Sequence, residues 1–158
     1  MTQDEEDEYY EQHKRFYESA YEAAMGKMLV RFNNLENAVG QMLEGLLKKL
    51  EVGHLYRPED YFRQKVDRLE LAMRAVPDWP VPDFNRLRRI NGWRNDIAHS
   101  DFFQDPDTAA YLTRALHKPG RRTTGLHPEL IDTYTAEVAT AIDEILYIMP
   151  LVWYEEPD

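Results

Sequence analysis

The chain contains no cysteine, only two serines (Ser19 and Ser100), and seven glycines scattered over 158 residues. Without cysteine there is no disulfide, no thiolate-ligated zinc, no iron–sulfur cluster and no cysteine nucleophile. Ser100 beside His99 makes a poor serine-hydrolase pair, because neighbours on a helix do not face each other. The glycines form no phosphate-cradling loop. No apolar run approaches the roughly 18 residues needed to span a bilayer. The N-terminal MTQDEEDEYYE is the reverse of a basic-then-apolar signal peptide. These absences predict a cytoplasmic protein with no membrane partner. His13, His54, His117 and His127 have no metal-ligand spacing and read as surface or packing residues. Asp101, Asp105 and Asp107 surround Pro106 and read as an ordinary turn rather than a cation site. No metal and no cofactor is expected.

What is present is a globular composition, 43% hydrophobic and 30% charged, with a length that fits one domain over residues 1–158. Acids outnumber bases 29 to 19, for a formal net charge of −10. That balance argues against a protein that coats nucleic acid by bulk charge. The excess sits at the ends. Residues 1–11 carry six acids and no base, and the tail 154–158 carries three more. Setting these nine aside leaves 20 acids and 19 bases over residues 12–153. The acidic ends read either as solvated termini or as an arm that occupies a basic site.

Hydrophobic periodicity predicts helices. Phe32, Leu35, Val39, Met42, Leu46 and Leu50 line one face of a helix over 28–50. The stretch from Tyr9 to Met25 is also helix-like, and Gly26 either kinks the join or ends a helix there. Phe62, Val66, Leu69, Met73 and Val76 predict a helix over 58–76, with Pro58 in its first turn. The prolines at 77, 80 and 82 break it, and Asp83 caps a third helix over roughly 84–98. Residues 110–126 read as two short strands around Lys118-Pro119-Gly120 or as a long loop. Ile131, Tyr134, Val138, Ala141, Ile145 and Ile148 mark a last helix over 128–149. The fold class is all-α, a four- to five-helix bundle, with a small β-hairpin or a long loop before the last helix. Trp79, Trp93 and Trp153 read as core or interface anchors rather than base-stacking platforms.

The third helix breaks its own pattern. Stepping from Leu87 by 3, 4 and 3 reaches Ile90, Arg94 and Ile97, so a guanidinium falls in phase with the buried face. It must find a carboxylate, a phosphate or water, because an unpaired buried charge costs several kcal/mol. Gly92 lies in mid-helix at a cost of about 1 kcal/mol relative to alanine. Arg86, Arg88 and Arg89 precede Arg94 on the same helix. They either pair with Glu36, Glu44, Asp67 or Glu70 of neighbouring helices or form a phosphate-contacting, substrate-binding surface. Within the string RNDIAH, Asn95 and His99 share a face, and the long Arg94 side chain can reach round to them. Together these three suit a single phosphate: Arg94 supplies charge, Asn95 an amide and His99 a group titrating near neutrality. A histidine at a helix end also serves as a cap or a packing residue.

Arg94-Asn95-x-x-x-His99 on a helix, in a small helical chain, resembles the signature of the HEPN superfamily. Phe32-x-x-Leu35-Glu36 on an earlier long helix and Phe62-x-x-Lys65-Val66 on the next extend the likeness over most of residues 28–149. A second Arg-x4-His string, Arg122 to His127, runs through Gly125 into Pro128 and cannot be a regular helix. The resemblance implies a metal-independent endoribonuclease, acting as a homodimer whose two motifs face a shared cleft. It implies that Arg94 stabilises charge on a phosphorane-like transition state, that His99 is the general acid or base, and that Asn95 is the supporting polar residue. RNA would be the substrate, in a defence or toxin–antitoxin setting, with an antitoxin or regulatory protein as a further partner. Some toxins of the superfamily carry a tyrosine two residues after the histidine; Asp101 stands there. The other reading is a non-catalytic helical dimer that binds a protein or a nucleotide-like ligand through the same arginine-rich cleft. In either case residues 4–8 are candidates to shield Arg94.

Overall fold

The computed structural model describes residues 2–104, 111–115 and 124–154. Four α-helices make up the bundle: α1 (Gln3–Lys49), α2 (Phe62–Met73), α3 (Phe84–Ala98) and α4 (Pro128–Trp153). The largest contact is α1 against α4; α2 packs on α1, and α3 bridges α2 and α4. A short antiparallel sheet lies between α3 and α4. Its strands β1 (Ser100–Gln104), β2 (Tyr111–Ala115) and β3 (Thr124–Gly125) are joined in that order, with Phe102 opposite Thr113 and Thr113 opposite Thr124. Lys118-Pro119-Gly120 and the turn at 105–107 lie outside the described residues.

α1 is one continuous helix of 47 residues. The Thr2 hydroxyl accepts from the Glu5 amide, and the Glu5 carboxylate accepts from the Thr2 amide at 2.6 Å. This capping box satisfies two orphan donors. Asp4, Glu5 and Glu6 face the positive end of the helix dipole, and Lys48 and Lys49 the negative end. Gly26 does not end the helix, contrary to one of the two expectations. A glycine costs only about 1 kcal/mol there, and buried Ala24 and Met28 on either side hold the turn. At 1.5 Å per residue α1 runs about 70 Å, against about 39 Å for α4. Its buried face begins at Tyr21 and continues through Met28, Phe32, Leu35, Val39, Met42 and Leu46. The residues before Tyr21 form a helical arm that carries the N-terminal acids and the exposed rings of Tyr9, Tyr10 and Phe16.

α2 starts at Phe62, four residues later than Pro58 suggested. Residues 58–60 are a turn instead, closed by the Asp60 amide donating to the Arg57 carbonyl at 3.2 Å. Arg68 draws this turn onto the side of α2. It pairs with the Asp60 carboxylate at 2.5 Å and donates to the Leu55 carbonyl. α4 starts at Pro128 as the sequence predicts, but runs through Pro150 to Trp153. Packing outweighs the lost amide donor. At Gly45 on α1, a Cβ would stand 2.3 Å from Val152 and 2.8 Å from Trp153, so the last turn of α4 lies against bare backbone. Lys49 also donates to the Leu151 carbonyl at 2.9 Å. Among the described residues no helix is long and apolar enough to cross a membrane.

Gly45→Ala is expected to lower stability by about 1–3 kcal/mol through overpacking, despite its better helix propensity. Gly26→Ala, where an added Cβ meets nothing, is expected to raise it by about 0.5–1 kcal/mol. Urea unfolding of both variants checks this; shifts of the same sign would refute the packing role of Gly45.

Candidate functional site

α3 builds the site. Asp83 caps it, its carboxylate accepting from the Arg86 amide at 2.9 Å. Leu87, Ile90 and Ile97 are buried and fix the rotation of the helix. That rotation carries Arg94 toward the core, as its phase requires. No carboxylate meets it among the described side chains. Its guanidinium instead lies 5.5 Å from the centroid of the Phe32 ring on α1 and donates to Asn95 Oδ1 at 3.3 Å. Phe32 is held edge-on against Phe62 of α2, with centroids 5.0 Å apart. A cation over a ring is stabilised by about 0.5–2 kcal/mol. The contact positions Arg94 without neutralising it.

His99 closes α3 as its C-terminal cap, with its amide donating to the Asn95 carbonyl at 2.9 Å. The side chain is exposed. Arg94, Asn95 and His99 line one cleft of about 440 Å³ together with Asn91 of α3, Glu36 of α1 and Arg63 of α2. The sequence-predicted triad therefore does share a cavity. Glu36 sits in the same cleft but pairs with Lys65 at 3.6 Å, and Lys65 is otherwise buried. A second cavity of about 320 Å³ shares Arg63, Asn91 and Asn95 with the first and is further lined by Val66, Leu87, Arg88 and Gly92.

The other three arginines do not join Arg94. Arg86 faces α4, pairing with Glu144 and lying 3.1 Å from Glu137. Burial works against its charge, but the Glu144 hydrogen bond and the charges of Glu144, Glu137 and Asp83 outweigh it and hold Arg86 above its ordinary pKa. Arg88 is held by Glu70 and by Asp67, the latter at 3.0 Å. Hydrogen bonds to those two carboxylates raise its pKa as well. Arg89 is exposed and lines neither cavity. Of the two readings of this row, Arg86 and Arg88 follow ion pairing, Arg88 with the anticipated Asp67 and Glu70 and Arg86 with Glu137 and Glu144 of α4, and these pairs anchor α3 to α2 and α4. Asn91 and Arg63 are the residues that sequence reasoning missed. Asn91, Asn95 and His99 recur every four residues, a signal that could have found the first. Arg63 comes from another helix and gives no local signal.

Two further expectations are resolved by position. Trp93 stacks on Tyr134 at 4.2 Å, Trp79 lies under Lys49, and Trp153 packs on α1 at Gly45, so all three tryptophans serve packing. The acidic arm cannot shield the Arg94 of its own chain. Glu8 and Phe32 are separated by about 36 Å along an unbroken helix, and Arg94 stands over Phe32. The side chain of Asp101, and residues His117, Arg122 and 155–158, lie outside the described residues. Among the described residues no group of three His, Asp or Glu side chains could hold a metal ion. No family model, no curated protein and no solved structure matches this chain.

Arg86→Ala is expected to cost about 1–3 kcal/mol, because two carboxylates lose their cation. Arg89→Ala is expected to change stability by less than about 0.5 kcal/mol. Thermal unfolding distinguishes them; equal effects would remove the assignment of Arg86 as an anchor.

Proposed function

We propose that this chain is a metal-independent endoribonuclease of HEPN type that cleaves RNA as a homodimer. The supporting observation is the cleft that gathers Arg94, Asn95 and His99 while, among the described side chains, no carboxylate pairs with Arg94. A cation held in place by a ring and an amide is preorganised for an anion, so little reorganisation is needed when charge develops on phosphorus.

In the proposed reaction the ribose 2′-oxygen attacks phosphorus and the bond to the 5′-oxygen breaks. The products are a 2′,3′-cyclic phosphate and a 5′-hydroxyl. One proton leaves the 2′-oxygen and one reaches the 5′-oxygen. His99 is suited to one of these transfers, because an imidazole ring can accept a proton at one nitrogen and donate one from the other. Arg94 stabilises the extra charge on the phosphoryl oxygens, and Asn95 holds the Arg94 side chain. One histidine per cleft supplies one of two proton transfers, so a second copy of the chain is proposed to bring its His99 to the same phosphate. A defence or toxin–antitoxin role, with an antitoxin or regulatory partner, belongs to the same proposal.

One observation favours the alternative of a non-catalytic dimer binding a protein or nucleotide-like ligand. Arg86 and Arg88 are spent on ion pairs, which leaves little free positive charge for a long RNA. Cleavage assays in EDTA on varied RNAs separate the two. Wild type is expected to cut, and His99→Ala and Arg94→Ala are each expected to lose at least about a hundredfold in rate, with unfolding midpoints showing that both fold. Inactive wild type, or activity that survives both substitutions, sinks the nuclease reading.

A further inference from the structure

The second cavity has a feature that packing does not explain. Gly92 lies in the middle of α3, where glycine costs about 1 kcal/mol relative to alanine. Gly45 is required by its neighbours, since a Cβ there would stand 2.3 Å from Val152, whereas at Gly40 a Cβ would stand 3.2 Å from the Tyr56 hydroxyl, which a small side-chain shift relieves. At Gly92, as at Gly26, an added Cβ meets no protein atom within 4 Å, but Gly92 also lines a cavity. The space it leaves belongs to the cavity beside the Arg94 cleft.

The walls of that cavity suit one kind of group. Val66 and Leu87 lie at its floor but are buried, so the accessible wall comes from Arg63, Arg88, Asn91, Gly92 and Asn95. Asn91 and Asn95 stand one helical turn apart and carry amides that both donate and accept hydrogen bonds. Arg88 adds no free charge, because Asp67 and Glu70 hold it. The bare backbone at Gly92 admits a flat ring closely. A volume of about 320 Å³ holds one heterocycle and excludes a helix or a hairpin. Because Arg63, Asn91 and Asn95 line both cavities, a group in the second sits next to an anion in the first.

From these observations we infer that the cavity at Gly92 is a nucleobase subsite, holding the base adjacent to the phosphate at Arg94. The inference rests on the RNA reading of the cleft and adds to it where a base is gripped. The Asn91 amide can pair two-point with a base edge, while Asn95 Oδ1 already accepts from Arg94.

Gly92→Leu tests it. Leucine is a better helix former than glycine, so the variant is expected to fold with an equal or higher unfolding midpoint. The probes are dinucleotides blocked by 2′-O-methylation, compared with ribose 5-phosphate, a monophosphate that carries no base. Burial of one base and its pairing with an asparagine amide predict that wild type binds the dinucleotides about tenfold or more tightly. In Gly92→Leu that preference is expected to shrink to about twofold or less, with monophosphate affinity unchanged. Gly92→Ala is expected to fall between, which guards against a folding defect in the leucine variant. A preference that is the same in wild type and Gly92→Leu overturns the inference, as does wild type that binds neither probe or shows no preference. The EDTA assay fails or succeeds separately. Cleavage that depends on Arg94 and His99, without a Gly92 effect, removes only the subsite. Gly92-dependent binding without cleavage removes only the nuclease.

Discussion

The bundle is organised by one close approach, that of α4 onto the glycine backbone of α1 at Gly45. Because nothing projects from α1 there, Val152 and Trp153 can lie against its backbone, and α4 stays helical through Pro150. With α1 and α4 held as a pair, α2 and α3 complete the bundle by packing on one of them each and on one another. The orientation of α3 then follows from Leu87, Ile90 and Ile97 on one side and from the Arg86 and Arg88 ion pairs on its flanks. Asn91, Arg94 and Asn95 inherit their directions from that rotation.

Within this frame Arg94 is the departure from ordinary core chemistry. A guanidinium in phase with a buried stripe is normally given a carboxylate, because an unpaired charge is costly. Glu36 lies in the same cleft, yet Lys65 takes it. The Phe32 ring supplies the substitute. It offers a weaker, non-ionic attraction that leaves the cation able to meet an anion from outside. The same helix thus uses arginine in two ways. At Arg86 and Arg88 the charge is consumed to hold elements together, and at Arg94 it is kept in reserve.

Much of the fold was legible because it is carried by short-range periodicity. The Asp83 cap, the start of α4 at Pro128 and the buried stripes of all four helices follow from residues close together in sequence. The errors came where distant residues decide. Arg68 acts across eight positions to turn residues 58–60 away from α2, and a contact over a hundred residues away sustains α4 beyond Pro150. Gly26 failed as a breaker because its cost is small against the burial around it. At the site, the clustering of Arg94, Asn95 and His99 was readable from one helix. The fates of Arg86 and Arg88 depended on which carboxylates the neighbouring helices would present, and for Arg86 these came from α4. Arg63 and Phe32 were invisible as site residues for the same reason.

The pairing of α1 with α4 also has a meaning in time. On the ribosome α1 emerges before α4, and its apolar stripe from Met28 to Leu46 waits for a partner that begins at Pro128. At translation rates of about 5–20 residues per second, the roughly eighty residues between them take several seconds to appear. During that interval α2 and α3 can cover only part of the stripe. The nascent chain therefore presents a greasy helix to the surrounding machinery until late in synthesis, and its final closure comes with the residues that pack against Gly45.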